Sequence, residues 1–531
     1  MTRFISRYAD KVTGVLSGFD RLVFRGMLRS IAFAPGMACY LSTRGILLKD
    51  YGSHVQQVSQ ELKETSRARY LELGLPVQYL ASPQESKEEI ARRIADQRGI
   101  TEGPICLLTS VEPCQSYDVF SNPETKLLEL VHRPRKCLYL YHYQFHPTLG
   151  FMNARIQTWF PFNVQVCLNG REWLARQMDA ERMAYERHDN CFAAVEDFER
   201  AQALLDAQLQ TNWPQLLGEI GNMVNPLMER LGTRKSAAAY YWVTHQSEWA
   251  TDIVFDDPEE LSRLYPKLVA HGISNLSSPN VLRFLGRRLT ATGEIPRRFK
   301  GEVTSDMKRR PEGVRIKHTV NGNSVKAYDK LYTERAAVLR LEATVNDAGD
   351  FRVYRPKEGG PADDLQWRPL RKGIADLHRL SQVSGRANER YLDALASVDD
   401  SRTLGELLAR VTKPATWNEK RVRALNPFAP EDLKLCKAVS AGEFVISGVR
   451  NRDLQRLLFT EEAASPAERR KRCARVGRLI RMLRAHGILQ KVNGTHRYQI
   501  TEEGRSILTA MLTARETPIN RLMPEELAPA A

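Results

Sequence analysis

The chain has 531 residues, of which 42% are hydrophobic and 27% charged. That length suggests roughly three or four domains, and no apolar run is long enough for a membrane span or a signal peptide. The net charge of +15 favours an anionic partner, with nucleic acid ahead of a membrane surface. None of the eight cysteines has C-x-x-C spacing, so zinc ribbons and thioredoxin-type chemistry are not expected. The cysteines are expected to be reduced, in a cytosolic protein.

The first two thirds of the chain are predicted to be of the α+β class, with two β-rich regions that carry helical insertions. Residues 1–100 are predicted to be mainly helical. Residues 101–235 contain short runs of β-branched and aromatic residues separated by turns, which predicts an α+β domain with an antiparallel sheet. Residues 236–355 form a second β-rich domain, whose clearest signal is a hairpin turning at Asn321-Gly322. Two β-rich stretches followed by helices raise the hypothesis of a duplicated unit.

The remainder of the chain divides at linkers. A Pro/Gly/Asp-rich segment at 356–366 leads into a helical connector at 367–430. A nucleic-acid-binding domain is predicted at 431–516, and the Pro/Ala-rich tail, 517–531, is predicted to be disordered.

The C-terminal domain has an ordered series of signals. A capping box with proline at the first helical position, Ser465-Pro466-Ala467-Glu468, opens a long helix that runs to about His486 and is followed by Gly487. A hairpin turning at Asn493-Gly494 comes next, and a last helix spans Glu502–Ala514. This order of helices and hairpin resembles the winged helix-turn-helix family.

That resemblance implies that the long helix enters a major groove and that the hairpin touches the DNA backbone or the minor groove. The basic residues of the domain fit such a role, although an arginine-covered face that binds protein is the alternative. The residues expected to contact nucleic acid are Arg470, Lys471, Arg478 and Arg481, with Arg475 on the flank of the helix and Arg497 in the hairpin.

A second site is predicted on three consecutive strands. Alternation gathers cations, a tyrosine and a carboxylate on one surface. The segments Tyr328-Asp329-Lys330 and Arg340-Leu341-Glu342 resemble the YDK…RxE pattern of phage and plasmid rolling-circle replication initiators. The match covers about 30 residues.

The resemblance implies that a tyrosine attacks a DNA phosphate and that carboxylates hold a divalent metal, Mg²⁺ or Mn²⁺. Tyr328 would be the nucleophile, Glu342 a metal ligand and Lys330 a further catalytic residue. The implied nucleic-acid contacts are Arg315, Lys317, His318, Lys326 and Arg340.

The chain departs from that pattern in one respect, because it has no histidine-hydrophobic-histidine triplet. His142 and His146 are four residues apart. A polar strand face that binds nucleic acid without cutting it is therefore the alternative. No nucleotide cofactor is expected, since the sequence has neither a Walker loop nor a Rossmann glycine fingerprint.

An aromatic and amide-rich stretch, 157–174, offers candidates for stacking on bases. These are Trp159, Phe160 and Trp173, with core packing as the alternative. The segment Phe19–Gly26 mixes arginine with aromatics and is interpreted as structural.

The leading hypothesis is a DNA-binding protein of the mobile-element type, a replication initiator or a strand-nicking and strand-transfer enzyme. The alternatives are a non-catalytic binder of DNA or RNA, such as a regulator or a partner of structured RNA, and a protein whose basic faces bind acidic proteins. A bacterial cytoplasmic, nucleoid-associated location is expected, and the oligomeric state is left open. The chain as a whole resembles uncharacterised bacterial proteins that share the LNGREWLARQ and VKxYDK segments, which implies no activity.

Overall fold

The computed structural model describes residues 3–516, apart from 83–84, 232–237, 275, 288–294, 296–298, 311–312, 334–335, 358, 362, 397–403, 441–443, 445–447, 460, 462 and 493. It has a mixed α and β architecture organised around one large sheet. Within the described part of the chain, no helix is both long enough and apolar enough to cross a membrane.

The strands are extended runs of β-branched, aromatic and alternating polar residues. In chain order they are β1 Val12–Leu28, β2 Val77–Tyr79, β3 Gly103–Ser121, β4 Leu128–His146, β5 Gly150–Gln157, β6 Val164–Asn169, β7 Tyr185–His188, β8 Cys191–Val195, β9 Tyr240–Phe255, β10 Val303–Arg310, β11 Gly313–Val320, β12 Asn323–Thr333, β13 Ala336–Val345, β14 Arg352–Arg355, β15 Gln366–Pro369, β16 Ala415–Trp417, β17 Lys420–Val422, β18 Leu489–Lys491 and β19 Tyr498–Ile500.

Eleven of these strands form one sheet in the order β10-β11-β12-β13-β9-β1-β6-β5-β4-β3-β2. The sheet is mixed, because β2 runs parallel to β3 while the other neighbouring pairs are antiparallel. In the described part of the chain, four smaller two-stranded sheets accompany it.

The long pair of β1 and β9 joins the two halves of the large sheet. It runs from the Val12–Phe255 pair to the Leu28–Tyr240 pair. The two β-rich regions predicted at 101–235 and 236–355 therefore share one sheet, and the region predicted to be mainly helical, 1–100, supplies a central strand. Glycines and charged residues interrupt the apolar pattern of β1, so neither a period of two nor a helical period stands out.

The hairpin predicted at Asn321-Gly322 is confirmed. It joins β11 to β12, and both turn residues have positive φ, 50° at Asn321 and 86° at Gly322. A glycine at the second position fits this turn because it adopts such a backbone without a steric cost.

Helices lie on both faces of the large sheet. In chain order they are α1 Arg3–Arg7, α2 Ala34–Thr43, α3 Tyr51–Glu72, α4 Lys87–Arg98, α5 Gly170–Glu181, α6 Phe198–Ala207, α7 Trp213–Val224, α8 Met228–Leu231, α9 Pro258–Ser274, α10 Ser278–Phe284, α11 Leu377–Leu395, α12 Leu404–Ala409, α13 Pro430–Val439, α14 Asn451–Leu458, α15 Pro466–Ala485 and α16 Glu502–Glu516.

The half of the sheet from β10 to β9 has one face packed against α9 and α11. A Cβ at Gly272 of α9 would lie 2.9 Å from the side chain of Ile316, and His318 packs edge-on against Tyr391 of α11. We call this the helix-covered face. Because side chains alternate along a strand, Arg315, Lys317 and their cross-strand neighbours point to the opposite face, which we call the site face.

The C-terminal elements have a hydrophobic core of their own, which extends from Leu407 to Leu512. The connector predicted at 367–430 is therefore divided, because α11 belongs to the core of the large sheet while α12 joins the C-terminal core. The predicted N-cap of α15 is present, because the Ser465 hydroxyl accepts a hydrogen bond from the Glu468 amide at 3.2 Å. The Glu468 carboxylate accepts from the Ala464 amide at 2.9 Å rather than from the Ser465 amide, so only half of the predicted capping box forms. A helix, a second helix, a hairpin and a third helix follow one another as α14, α15, β18–β19 and α16.

Candidate active site

Three carboxylates meet on the site face near the middle of the large sheet. Asp20 of β1, Glu248 of β9 and Glu342 of β13 each place one oxygen within 4.8 Å of the others. Asp20 and Glu342 are buried, and Glu248 is half-buried. We call these three residues the carboxylate cluster. Their strands are adjacent in the order β13-β9-β1.

A bulge in β1 brings Asp20 into this cluster. Phe19 is paired with Trp249 and Arg21 with Glu248, so Asp20 is the extra residue between two consecutive pairs. A β-bulge re-aims side chains locally, and such bulges are common beside active sites. Here it lets Asp20 and Arg21 both reach the neighbourhood of Glu248.

Lys326 of β12 contacts two members of the cluster. Its ammonium forms an ion pair with Glu342 and lies 3.7 Å from Glu248. Burial opposes its ionisation, but the negative charges of Glu342 and Glu248 raise the pKa of Lys326 above the usual value. Burial together with the nearby charge of Glu342 raises the pKa of Glu248. The cluster thus carries concentrated negative charge, which Lys326 offsets in part.

Arg340 lies beside the cluster on β13, in a buried ionic network. Its guanidinium is 2.8 Å from Asp20 and 3.5 Å from Asp252, and only 1% of the side chain is exposed. Asp252 is also bound at 2.7 Å by Arg171, and both of these side chains are fully buried. The sequence-based expectation that Arg340 contacts phosphate is therefore wrong: it balances buried carboxylates and has no access to DNA.

Tyr328 lies beside the cluster on β12. It stands opposite Arg340 on one side and Arg315 on the other, so its ring is on the site face. Burial, followed by the charge of Glu342, raises the pKa of Tyr328 to about 12. The side chain is half-buried, and among the described residues its hydroxyl has no hydrogen-bond partner. The hydroxyl is accordingly neutral at pH 7 and available to a ligand.

Lys330, predicted to be catalytic, is buried and binds Asn190, a residue that contacts the carboxylate cluster. Its ammonium donates to the side-chain oxygen of Asn190 at 3.2 Å, and lies 5.8 Å from the centre of the Tyr328 ring. The amide of Asn190 in turn donates to both oxygens of Asp20, at 3.1 and 2.9 Å. Asn190 lies between β7 and β8, so this small hairpin closes one side of the site. We assign Lys330 a positioning role.

The carboxylate cluster fits a hard divalent cation. Mg²⁺ and Mn²⁺ prefer oxygen ligands and are commonly held by one or a few carboxylates that leave positions for water and phosphate. Asp20, Glu248 and Glu342 would hold such an ion, and none of the three is a softer nitrogen or sulfur ligand. Glu342 was predicted as a ligand from the sequence, and the other two were not.

Replacing Lys326 with methionine is expected to tighten Mn²⁺ binding by about tenfold, or ~1.4 kcal/mol, because the substitution removes a positive charge beside the carboxylates. The measurement is calorimetric titration with Mn²⁺ without DNA. The matched control is Lys317→Met, since Lys317 stands opposite Lys326 on β11 and, within the described residues, forms no ion pair. Unchanged or weaker binding in Lys326→Met would contradict this assignment of the cluster.

Two further predicted nucleic-acid contacts lie on the site face and one does not. Arg315 points to the site face and pairs with Asp306 at 3.1 Å, and Lys317 is the next site-face residue along β11. His318 instead points to the helix-covered face, is fully buried, and bonds to Ser305 at 2.7 Å. Burial lowers the pKa of His318 to about 4, and DNA cannot reach it. The alternation of a strand excludes neighbours in sequence from sharing one surface.

Two of the aromatic stacking candidates are also inaccessible. Phe160 is fully buried and Trp173 is 5% exposed, both within the main core. Stacking on a base requires an open ring face. Trp159 is half-buried, so it alone of the three keeps part of its ring at the surface.

The basic residues of the C-terminal elements are mostly at the surface. Arg475 pairs with Glu431 at 2.6 Å, and Arg497 lies 4.2 Å from the ring centre of Tyr354. The others are exposed on α15 and, in the described part of the chain, no acidic group pairs with them: Arg470, Lys471, Arg478 and Arg481.

Sequence reasoning missed Asp20 and Glu248. Asp20 interrupts an apolar run, GFDRLVF, and a buried carboxylate in such a run was a usable signal, since it needs a partner or a metal. The segment was interpreted as structural because nothing in the sequence connects it with Glu342. Glu248 is one of several polar residues in a strand of mixed character and gives no signal of its own.

The chain was also compared with known proteins. No family model, no curated protein and no solved structure matches it.

Proposed function

We propose that this protein is a metal-dependent DNA nicking and strand-transfer enzyme of the replication-initiator type, with Tyr328 as nucleophile. One observation carries the proposal: a tyrosine hydroxyl without a partner among the described residues lies on the same strand face as a cluster of three carboxylates. Tyr328 and Glu342 lie on the strands that bear the YDK and RxE segments, β12 and β13. Buried carboxylates that repel one another are costly unless a cation offsets them.

The reaction would proceed by displacement at phosphorus. The Tyr328 oxygen forms a bond to the phosphorus atom as the bond to a sugar oxygen breaks. The tyrosine gives up its proton and the departing sugar oxygen gains one, so that a phosphotyrosine link and a free sugar hydroxyl result. A second DNA hydroxyl can reverse these steps and rejoin a strand, because the link keeps the phosphodiester chemistry intact.

The residues around Tyr328 have separate roles in this proposal. Lys317 and Lys326 supply positive charge for the phosphate, and Arg315, once released from half-exposed Asp306, adds a guanidinium. The negative charge of Glu342 raises the pKa of Tyr328 and so opposes departure of the phenolic proton, an effect that a divalent cation on the cluster would offset. A divalent cation on the cluster would supply Lewis-acid stabilisation of the charge that develops on phosphate oxygens.

The C-terminal elements are proposed to form a winged helix that grips duplex DNA. Their support is the order of helices and hairpin, together with the exposed cations of α15. An arginine can contact a phosphate or, through its planar fork, a guanine in the major groove.

Replacing both Arg478 and Arg481 with glutamine is expected to weaken duplex binding and to reduce the salt slope of log K by about 1 to 2, since each phosphate contact contributes about 0.9. Fluorescence anisotropy at several salt concentrations measures the slope. Arg475→Gln is the matched control, because Arg475 is already paired with Glu431. An unchanged slope in the double variant would exclude this face of α15 as the duplex contact.

The test of the proposed activity is incubation of end-labelled single-stranded and supercoiled DNA with the protein and Mg²⁺ or Mn²⁺. Nicked DNA and a protein–DNA adduct are expected, both suppressed by EDTA, and peptide mapping should locate the adduct on Tyr328. An adduct on another tyrosine would overturn the assignment of the nucleophile. Nicking without any adduct would favour attack by water.

One observation favours a second function, a non-catalytic binder of DNA or RNA. Lys326 and Arg340 already contact the carboxylates, so the cluster could serve as a structural ion network. The chain would then be a regulator or a partner of structured RNA. Neither nicking nor divalent-ion binding would be seen, and nucleic acid that co-purifies with the protein would show by its RNase sensitivity which polymer is bound.

A further inference from the structure

A second cavity lies beside the candidate active site, on the same face of the large sheet. Its volume is about 240 Å³, and its walls come from β1, β3, β4, β5, β6 and β9. The active-site cavity next to it, about 260 Å³, contains Asp20, Arg21 and Glu248. We call the second cavity the arginine cavity, after Arg25 and Arg155 in its wall.

Basic groups converge on the arginine cavity. Arg25 of β1, Arg155 of β5 and His245 of β9 line it. Burial, followed by the charges of Arg25, Lys372 and Arg155, lowers the pKa of His245. Like charges gathered in this way disfavour one another, so the site favours a ligand that brings negative charge.

The wall of the cavity offers these cations no acidic partner. The residues that line it include no aspartate or glutamate. Glu112, which lies outside the wall, binds Arg155 at 2.8 Å and also accepts a hydrogen bond from Tyr141 at 2.5 Å. Arg25 is half-buried, and among the described residues nothing forms a hydrogen bond or an ion pair with its guanidinium. A partly buried guanidinium without a carboxylate is suited to an anion such as phosphate.

The remaining wall suits a base. Tyr139 contributes a half-buried ring to the cavity, with the Arg155 guanidinium 5.0 Å from its centre. Amide side chains also line the cavity. Gln115 and Asn163 offer donors and acceptors to a base, whereas the buried Gln157 donates to three backbone carbonyls and the oxygen of Gln165 accepts from Arg155. Aromatic rings and arginine planes stack with bases, and amides bond to base edges that are not already paired.

The two cavities follow one another along the strands. Arg21 stands opposite Asn169 and Arg25 opposite Gln165. The step from Arg21 to Arg25 is four residues of strand, or ~13 Å. A single-stranded DNA that leaves the carboxylate cluster along β1 and β6 therefore enters the arginine cavity within a few nucleotides.

We propose that the arginine cavity binds one unpaired nucleotide of the DNA strand that is cut, with its phosphate on Arg25 and Arg155 and its base between Tyr139 and the amide side chains. This inference rests on the proposed nicking function for the identity of the strand. It adds that the DNA must be unpaired beside the cleaved phosphate, because a base inside a duplex has its pairing edge and both ring faces occupied and cannot enter the cavity.

The test measures binding of a short fluorescent single-stranded DNA in EDTA, so that neither cleavage nor a metal is needed. Arg25→Gln is expected to bind about tenfold more weakly and to lower the salt slope by about 0.7, the value of one single-strand phosphate contact. Arg25→Lys should recover part of the affinity. Tyr139→Leu should weaken binding of the DNA but have little effect on an oligonucleotide of abasic sites.

The matched control is Arg263→Gln. Arg263 is an exposed arginine of α9, a helix that packs on the helix-covered face. Its substitution is expected to leave DNA binding unchanged. Thermal unfolding of each variant shows whether the sheet is intact, and the Arg25→Lys variant gives the same information through recovery of binding.

The outcomes separate this inference from the proposed function. Wild-type affinity in Arg25→Gln would overturn the arginine cavity as a nucleotide site even if the protein nicks DNA. Selective loss of single-strand binding in Arg25→Gln, with no nicking by the wild type, would retain the cavity and reject the enzyme. Tighter binding of RNA than of DNA of the same sequence would overturn the assignment to a DNA strand.

Discussion

Replacing Tyr328 with phenylalanine is expected to abolish the protein–DNA adduct and to lower nicking by about 1,000-fold or more, because the substitution removes the attacking oxygen and leaves the ring. The fold should persist, since the Tyr328 hydroxyl has no hydrogen bond to lose within the described residues. The readouts are adduct formation on denaturing gels and single-turnover nicking rates.

The control for this variant is Tyr79→Phe, which removes a hydroxyl from an exposed tyrosine on the edge strand β2. It should nick DNA at the wild-type rate. Equal adduct formation by wild type and Tyr328→Phe would show that another group attacks the phosphate.

The pH dependence of nicking gives a second test of Tyr328. The pKa of this tyrosine is raised to about 12, so at neutral pH nearly all of it is protonated. If ionisation of Tyr328 limits the rate, the rate should climb by up to about tenfold per pH unit above neutrality. A metal on the cluster would lower the pKa and move the plateau to lower pH, so the position of the plateau should depend on the metal added. A rate that is flat between pH 7 and 9 with every metal would contradict a rate-limiting ionisation.

Replacing Arg340 with methionine is expected to destabilise the large sheet by ~3–5 kcal/mol, because it leaves Asp20 and Asp252 as buried charges without their shared partner. Arg340 is 1% exposed and also donates to the Asn190 carbonyl oxygen at 3.0 Å, so the β7–β8 hairpin should loosen as well. Urea unfolding followed by tryptophan fluorescence measures the loss.

Arg315→Met is the matched control for Arg340→Met. Arg315 is also largely buried, but its partner Asp306 is 41% exposed and can be solvated when the arginine is removed. Its substitution should cost no more than about 1 kcal/mol. A second substitution, Asp20→Asn, should recover part of the stability lost in Arg340→Met. Equal losses in Arg340→Met and Arg315→Met would show that the buried network is not what stabilises this part of the sheet.

Predictions of turns and helix ends, which depend only on neighbouring residues, were confirmed. The Asn321-Gly322 turn and the Ser465 cap of α15 were predicted and are present, because a turn backbone and a helix end depend on a few neighbouring residues. The alternation of β11 to β13 also placed Lys326, Tyr328 and Glu342 on one surface, as the strand register has them. The same alternation places His318 on the opposite face of β11 and would have excluded it as a nucleic-acid contact.

The buried ionic network was not predictable in the same way. The sequence predicts that Arg340 contacts nucleic acid and that Lys330 is catalytic, since each is a cation in a strand that bears a motif. Their roles are decided by Asp20, Asp252 and Asn190, which reach them from other strands and from the β7–β8 hairpin. Whether a cation faces solvent or a buried carboxylate is a property of packing.

The sequence by itself determined the mixture of helices and strands, the hairpin that bears Tyr328, the N-terminal cap of α15 and the basic character of α15, because each follows from the order of neighbouring side chains. Only the tertiary structure decided that the two β-rich regions share one sheet and that β1 runs through its centre. It also decided that Asp20 and Glu248 join Glu342, and that Arg25 and Arg155 face one cavity. These pairings depend on long-range strand register and on one bulge in β1, and no local pattern encodes which distant strands become neighbours.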